Sequence, residues 1–166
     1  MIEMMVEGIA IDQANKTLVL LRDREKTIYL PIWIGPAEAM SIQMELENKQ
    51  PPRPMTHDLM SNILRELGVG LDHVTVIEYR DTVYYATLTL ATKGGPQDVD
   101  ARPSDAIALA LRSKASIYVE ERVAEEASIP MQDSTTEAAP TSKDEIDRFM
   151  RLIDGVDLTG SEIGKE

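Results

Sequence analysis

Three carboxylates fall at the starts of predicted helices: Glu38, Asp58 and Asp105. Two of them share a context, Pro36-Ala37-Glu38-Ala39 and Pro103-Ser104-Asp105-Ala106, which puts proline at the first helical position and the acid at the third. Asp58 lies in Arg53-Pro54-Met55-Thr56-His57-Asp58, just inside a helix that Thr56 is suited to cap. Carboxylates so placed offset the positive end of a helix, worth about 0.3–1 kcal/mol each, and need no other role. Brought together, Glu38, Asp58 and Asp105 would also suit Mg²⁺ or Mn²⁺, which prefer oxygen ligands. Such a metal activates water and neutralises a phosphodiester in its transition state. Arg53 and Arg102 each precede a proline and match a phosphate as bidentate donors. Acids at a helix start repel phosphate unless a cation bridges them, so hydrolysis there is expected to need metal. His57 would serve beside Asp58 as general base or metal ligand, and equally well as a polar residue next to a cap. Ser104 lacks the Gly-x-Ser-x-Gly setting of a nucleophile, and its default role is helix-start chemistry.

The elements that must carry these residues read as α+β. Strands are expected over 3–12, 17–22 and 27–34, with polar turns between them, and Pro31 marks an edge or a bulge. Gly35-Pro36 closes the third strand and opens a helix to about Asn48. After the stiff Pro51-Pro52-Arg53-Pro54 connector, Leu59, Met60, Ile63, Leu64 and Leu67 recur at helical spacing, and Gly68 ends the helix. Residues 74–79 and 83–90 form a hairpin, 97–101 a short strand, and Pro103 opens a third helix to Arg112. That helix is apolar on nearly all sides and should be buried. Ile117-Tyr118-Val119 is a last strand before an acidic turn over 120–127. Both Pro-x-acid-Ala segments follow three strands, so a duplicated β-β-β-α unit in a largely antiparallel sheet is expected. Trp33 and the tyrosines fall within strands, where sheet packing is the default role.

Composition narrows the function classes. The chain has 166 residues, 43% of them apolar, enough for one core. It contains no cysteine, which rules out disulfides, thiolate catalysis and iron–sulfur clusters and accords with a cytoplasmic setting. No stretch has the length or flanks of a signal peptide or a membrane span. Residues 1–130 hold 13 Lys and Arg against 20 Asp and Glu, and 131–166 hold 4 against 9. So acidic a chain has no broad field for polyanions, and nucleic acid would need a local cationic site or a bound metal. A domain is expected over 1–130, a flexible linker over 131–142, and an acidic helix and tail over 143–166, opened by Ser142-Lys143-Asp144-Glu145.

Three segments carry a resemblance: Pro31-Ile32-Trp33-Ile34-Gly35-Pro36-Ala37-Glu38-Ala39, Arg53-Pro54-Met55-Thr56-His57-Asp58-Leu59, and Asp100-Ala101-Arg102-Pro103-Ser104-Asp105-Ala106-Ile107 running on to Ala110. In this order they resemble the hallmark segments of the bifunctional nuclease domain family, over residues 1 to about 130. The resemblance implies hydrolysis of RNA and DNA, an activity assigned through a plant member, and a compact α+β fold, often homodimeric. It carries over Glu38, Arg53, His57, Asp58, Arg102 and Asp105 as motif positions. The expectation is a metal-assisted nuclease with no organic cofactor. The competing expectation is a non-catalytic homodimeric module, ligand-binding or regulatory, whose acids serve helix stability.

Overall fold

A computed structural model of the chain describes residues 1–130 other than Gln13; the linker and acidic helix expected beyond them lie outside the described residues. The first half contributes β1 (Ile2–Ile11), β2 (Thr17–Asp23), β3 (Ile28–Trp33) and α1 (Pro36–Leu46). Helix α2 (Thr56–Glu66) follows. The second half contributes β4 (Gly70–Arg80), β5 (Val83–Thr92), β6 (Gly95–Ala101) and α3 (Pro103–Ser113), then β7 (Ser116–Val119), α4 (Glu121–Ala127) and β8 (Ile129–Pro130). The fold is α+β, with a seven-stranded, mostly antiparallel sheet that two-residue β8 extends at one edge.

The strand order β6-β5-β4-β7-β1-β2-β3-β8 shows two antiparallel meanders meeting at β7. β7 lies parallel to β4 and antiparallel to β1. Each meander feeds a helix whose first residue is proline, so the expected β-β-β-α repeat is present, with α2 inserted between its copies. Local chemistry fixes the turns. Asp81 and Thr82 both take positive φ, as a tight two-residue hairpin requires. The buried Asp23 carboxylate closes the β2–β3 turn by accepting the Thr27 and Ile28 N–H groups at 2.8 and 3.1 Å. The sheet also curls, since the Tyr84 hydroxyl on β5 reaches the Pro31 carbonyl on β3, donating at 3.1 Å, although four strands lie between them in the sheet order. Pro31 sits on the side of β3 that β8, paired only at Ile28 and Tyr29, leaves uncovered.

Helix α3 is the centre of the core. Ala106, Ile107, Ala108, Leu109 and Ala110 are all buried, as an all-apolar helix demands, and alanines let it approach β4, β5 and β7. Helix α2 forms as its spacing predicts but buries little of its apolar face. Leu59, Met60, Ile63 and Leu67 are 40–69% exposed, although their spacing reads as a core face. The reason is position: α2 lies chiefly against α3, not on the sheet, and within it only His57 is buried. Its N-cap is Met55, one residue before Thr56, because Asp58 supplies the capping bond by accepting the Met55 N–H at 2.8 Å. Its other end is closed by Gly68 at φ +67, with the Val69 N–H reaching back to Leu64 at 2.9 Å. No helix among the described residues is long and apolar enough to cross a membrane.

Candidate functional site

The starts of α1, α2 and α3 converge on one cluster. Proline at the first position of α1 and α3 places Glu38 and Asp105 at the third, where each side chain can turn back toward its helix start. Arg102 is the N-cap residue of α3. It donates through Nε to Asp105 Oδ2 at 2.7 Å and through a terminal nitrogen to Oδ1 at 3.0 Å. Its other terminal nitrogen pairs with Glu38 Oε1 at 2.9 Å. One guanidinium thus links the equivalent acids of the two repeats. The close fit at Gly35 serves this link, because a Cβ there would overlap the Glu38 carboxylate.

Behind Asp105 lies a buried polar chain. His57 Nε2 is 3.0 Å from Asp105 Oδ1, and its Nδ1 is 2.8 Å from Ser41 Oγ. A proton on Nε2 donates to the carboxylate, leaving Nδ1 to accept from the Ser41 hydroxyl. With both ring nitrogens engaged and its side chain 9% exposed, His57 holds Asp105 in place. The Arg102 side chain, 66% exposed, is the part of the cluster open to solvent.

Asp58 turns elsewhere. Its Oδ1 accepts Arg112 Nε at 2.6 Å, and Arg112 also donates to the Ala108 and Ser41 carbonyls at 3.0 and 3.2 Å. This buried arginine ties α1, α2 and α3 together around the site. Arg53 is exposed and makes no hydrogen bond or ion pair with other described residues. Of the residues singled out in the sequence, then, Glu38, His57, Arg102 and Asp105 come together; Asp58 stands beside them, and Arg53 stands apart. Ser41 and Arg112 went unnoticed. A serine at a buried position of α1 carries no distinguishing spacing, but an arginine in the last turn of a largely apolar helix was a readable signal, since a buried charge must be paired.

The electrostatics follow the contacts. Burial alone would raise the Asp105 carboxyl; hydrogen bonds and charge from Arg102 and His57 outweigh it and hold it below the usual carboxylate range. Asp58 obeys the same balance, with Arg112 and the Met55 N–H overcoming burial. Among the described residues no three His, Cys, Asp or Glu side chains stand close enough to hold a metal ion. Glu38 and Asp105 share the Arg102 cation, and such a pair of carboxylates could supply part of a Mg²⁺ or Mn²⁺ shell.

The family model for the bifunctional nuclease domain matches residues 19–132. An uncharacterized protein of Mycobacterium tuberculosis is 39% identical over 157 residues, covering 93% of this chain and 94% of that protein. Bifunctional nuclease 1 of Oryza sativa subsp. japonica is 27% identical over 141 residues, 83% of this chain but 42% of its own length. Bifunctional nuclease 2 of Arabidopsis thaliana is 27% identical over 113 residues, 66% of this chain and 34% of its own length. The chain therefore spans less than half of these plant relatives.

Proposed function

We propose, for a chain that belongs to the bifunctional nuclease domain family, that it hydrolyses phosphodiester bonds of RNA or DNA at the joined starts of α1 and α3. The observation that carries this reading is Arg102, an exposed guanidinium shared between two carboxylates. A guanidinium so placed can turn a donor pair to a phosphate while keeping one acid in contact. Asp105, kept anionic and fixed by His57, then orients the attacking water, and Glu38 is released as Arg102 engages the phosphate. Mg²⁺ or Mn²⁺ held by Glu38 and Asp105 would lower the pKa of bound water and offset phosphate charge. The nuclease names of the plant relatives support the reaction class.

The test is a nuclease assay on highly purified protein, with Mg²⁺ or Mn²⁺ and with chelator, alongside Asp105→Asn. Cleavage should vanish with chelator and in the variant. Cleavage that survives both places the activity elsewhere.

A second reading has its own observation: Glu38, Asp105 and both nitrogens of His57 already have partners inside the domain. On this reading the cluster is a structural clasp in a non-catalytic, ligand-binding or regulatory module. The exposed apolar stripe of α2 would then pair two copies. It predicts that Asp105→Asn lowers the melting temperature without any rate to lose, and that Ile63→Glu shifts the sedimentation of the native protein to a smaller species.

A further inference from the structure

Next to the start of α1 is an open pocket of about 630 Å³, walled by the β1–β2 turn at Asn15, Lys16 and Thr17 and by Trp33, Gly35 and Pro36. Its size falls in the range of small-ligand sites. We infer that it receives an unpaired nucleobase of single-stranded nucleic acid, stacked on Trp33, with the adjoining phosphate on Lys16. The inference rests on the nucleic-acid reading above and adds to it a subsite away from the Arg102 cluster.

Three observations point to this occupant. Trp33 ends β3 and is 38% exposed, whereas Tyr29 on the same strand is fully buried. The sheet therefore does not absorb the indole, contrary to the default for an aromatic in a strand. Its Nε1–H donates to Asp12 Oδ2 at 3.0 Å, which fixes the ring beside the pocket and spends its one polar group. What remains is an apolar π-surface, and any base can stack on it.

Lys16 supplies the charge. Its backbone N–H is bound to Asp12 Oδ1 at 2.7 Å, which anchors the residue in the turn. Its ammonium makes no hydrogen bond or ion pair with other described residues. An aromatic platform with a neighbouring cation is the pairing that single-strand binding surfaces use, and it needs no broad basic field. In an acidic chain that locality matters.

The pocket also borders the candidate site. Gly35 and Pro36 form part of its wall, and the Glu38 carboxylate that pairs with Arg102 lies over Gly35. A strand with one base on Trp33 can therefore continue to Arg102, with the polar side chains of Asn15 and Thr17 beside the base.

Trp33 is the chain's single tryptophan, so its fluorescence reports on the pocket directly. The experiment titrates the full chain with single-stranded oligothymidylate in chelator, and follows binding separately by anisotropy of a labelled strand. Saturable quenching is expected, absent with a duplex of matched length. Trp33→Ala should weaken binding roughly ten- to a hundredfold, and Trp33→Phe much less. Lys16→Gln, on the surface and harmless to folding, should flatten the salt dependence by about 0.7 in slope. Unquenched fluorescence at saturating strand, equal quenching by duplex, or unaltered affinity in Trp33→Ala together with an unaltered salt slope in Lys16→Gln would overturn the subsite. Quenching without cleavage in Mg²⁺ or Mn²⁺ defeats the nuclease reading and keeps the pocket. Cleavage with an unperturbed Trp33 does the reverse.

Discussion

The starts of α1 and α3 have the same plan and different equipment. Both put proline first and an acid third. The N-cap is Gly35 in one and Arg102 in the other, and that exchange sets their chemistry. At α1 the missing side chain leaves room for Glu38 to lie over the backbone. At α3 the arginine holds its own acid and reaches across to Glu38. The second acid also has His57 behind it, and the first has no counterpart to that buried prop among the described residues. Duplication thus accounts for a symmetric frame, and divergence at one N-cap position for an asymmetric site.

Making the two N-caps alike should have the largest effect. Arg102→Gly removes the guanidinium from both acids and leaves them facing without a cation. On the nuclease reading cleavage should fall by at least about a hundredfold, the scale of losing an electrostatic stabiliser. The fold should lose only about 1 kcal/mol, because the arginine is exposed and its pairs are weak for stability. Kinetics and thermal melting on the same preparation separate the two. A melting drop as severe as a core truncation, with no rate affected, would favour the clasp.

Much of this frame was legible in the sequence, because it depends on local chemistry. Proline at a helix start, alternating apolar strands and the turn residues Asp23, Asp81 and Gly68 act within a few positions of themselves. The cluster was half legible. Glu38, His57, Arg102 and Asp105 stood out by type and spacing, but nothing local says that His57 bonds a residue 48 positions away. Ser41 was invisible for that reason, and Arg112 signalled only that it needed a partner, not which one: those partners exist only after α1, α2 and α3 have packed. The stripe on α2 shows the same limit, since apolar spacing shows that a face is apolar and not what covers it.

Acid should act on the buried side of the comparison before the exposed one. Asp105 and Asp58 are held below the ordinary carboxylate value in the folded state. Stability from such groups is full above the unfolded pKa, about 4, and is lost as pH falls through the depressed folded value. Melting temperature should therefore stay level down to about pH 4 and decline below it. Asp58→Asn and Asp105→Asn should each flatten the decline while lowering the plateau, since each loses a charge-assisted bond worth about 1–3 kcal/mol of unfolding free energy. A decline of unchanged steepness in both variants would assign the acid response to other groups, with Asp23 the first to test.

The smallest change asks whether Gly35 is there for Glu38. Gly35 has φ −72, an ordinary extended conformation, so alanine meets no backbone strain. As an N-cap, alanine is poorer than glycine by about 1 kcal/mol or less, which bounds the loss of stability. Its Cβ would overlap only the Glu38 carboxylate, the free end of a flexible side chain, which must swing away from Arg102. Gly35→Ala should then reproduce the effect of Glu38→Gln on cleavage, or on Arg102 side-chain order measured by NMR if no cleavage exists. The double variant should do no more than either single one, since both break the same contact. Additive effects would mean that Gly35 serves something else, the neighbouring Trp33 pocket being the structure on its other side.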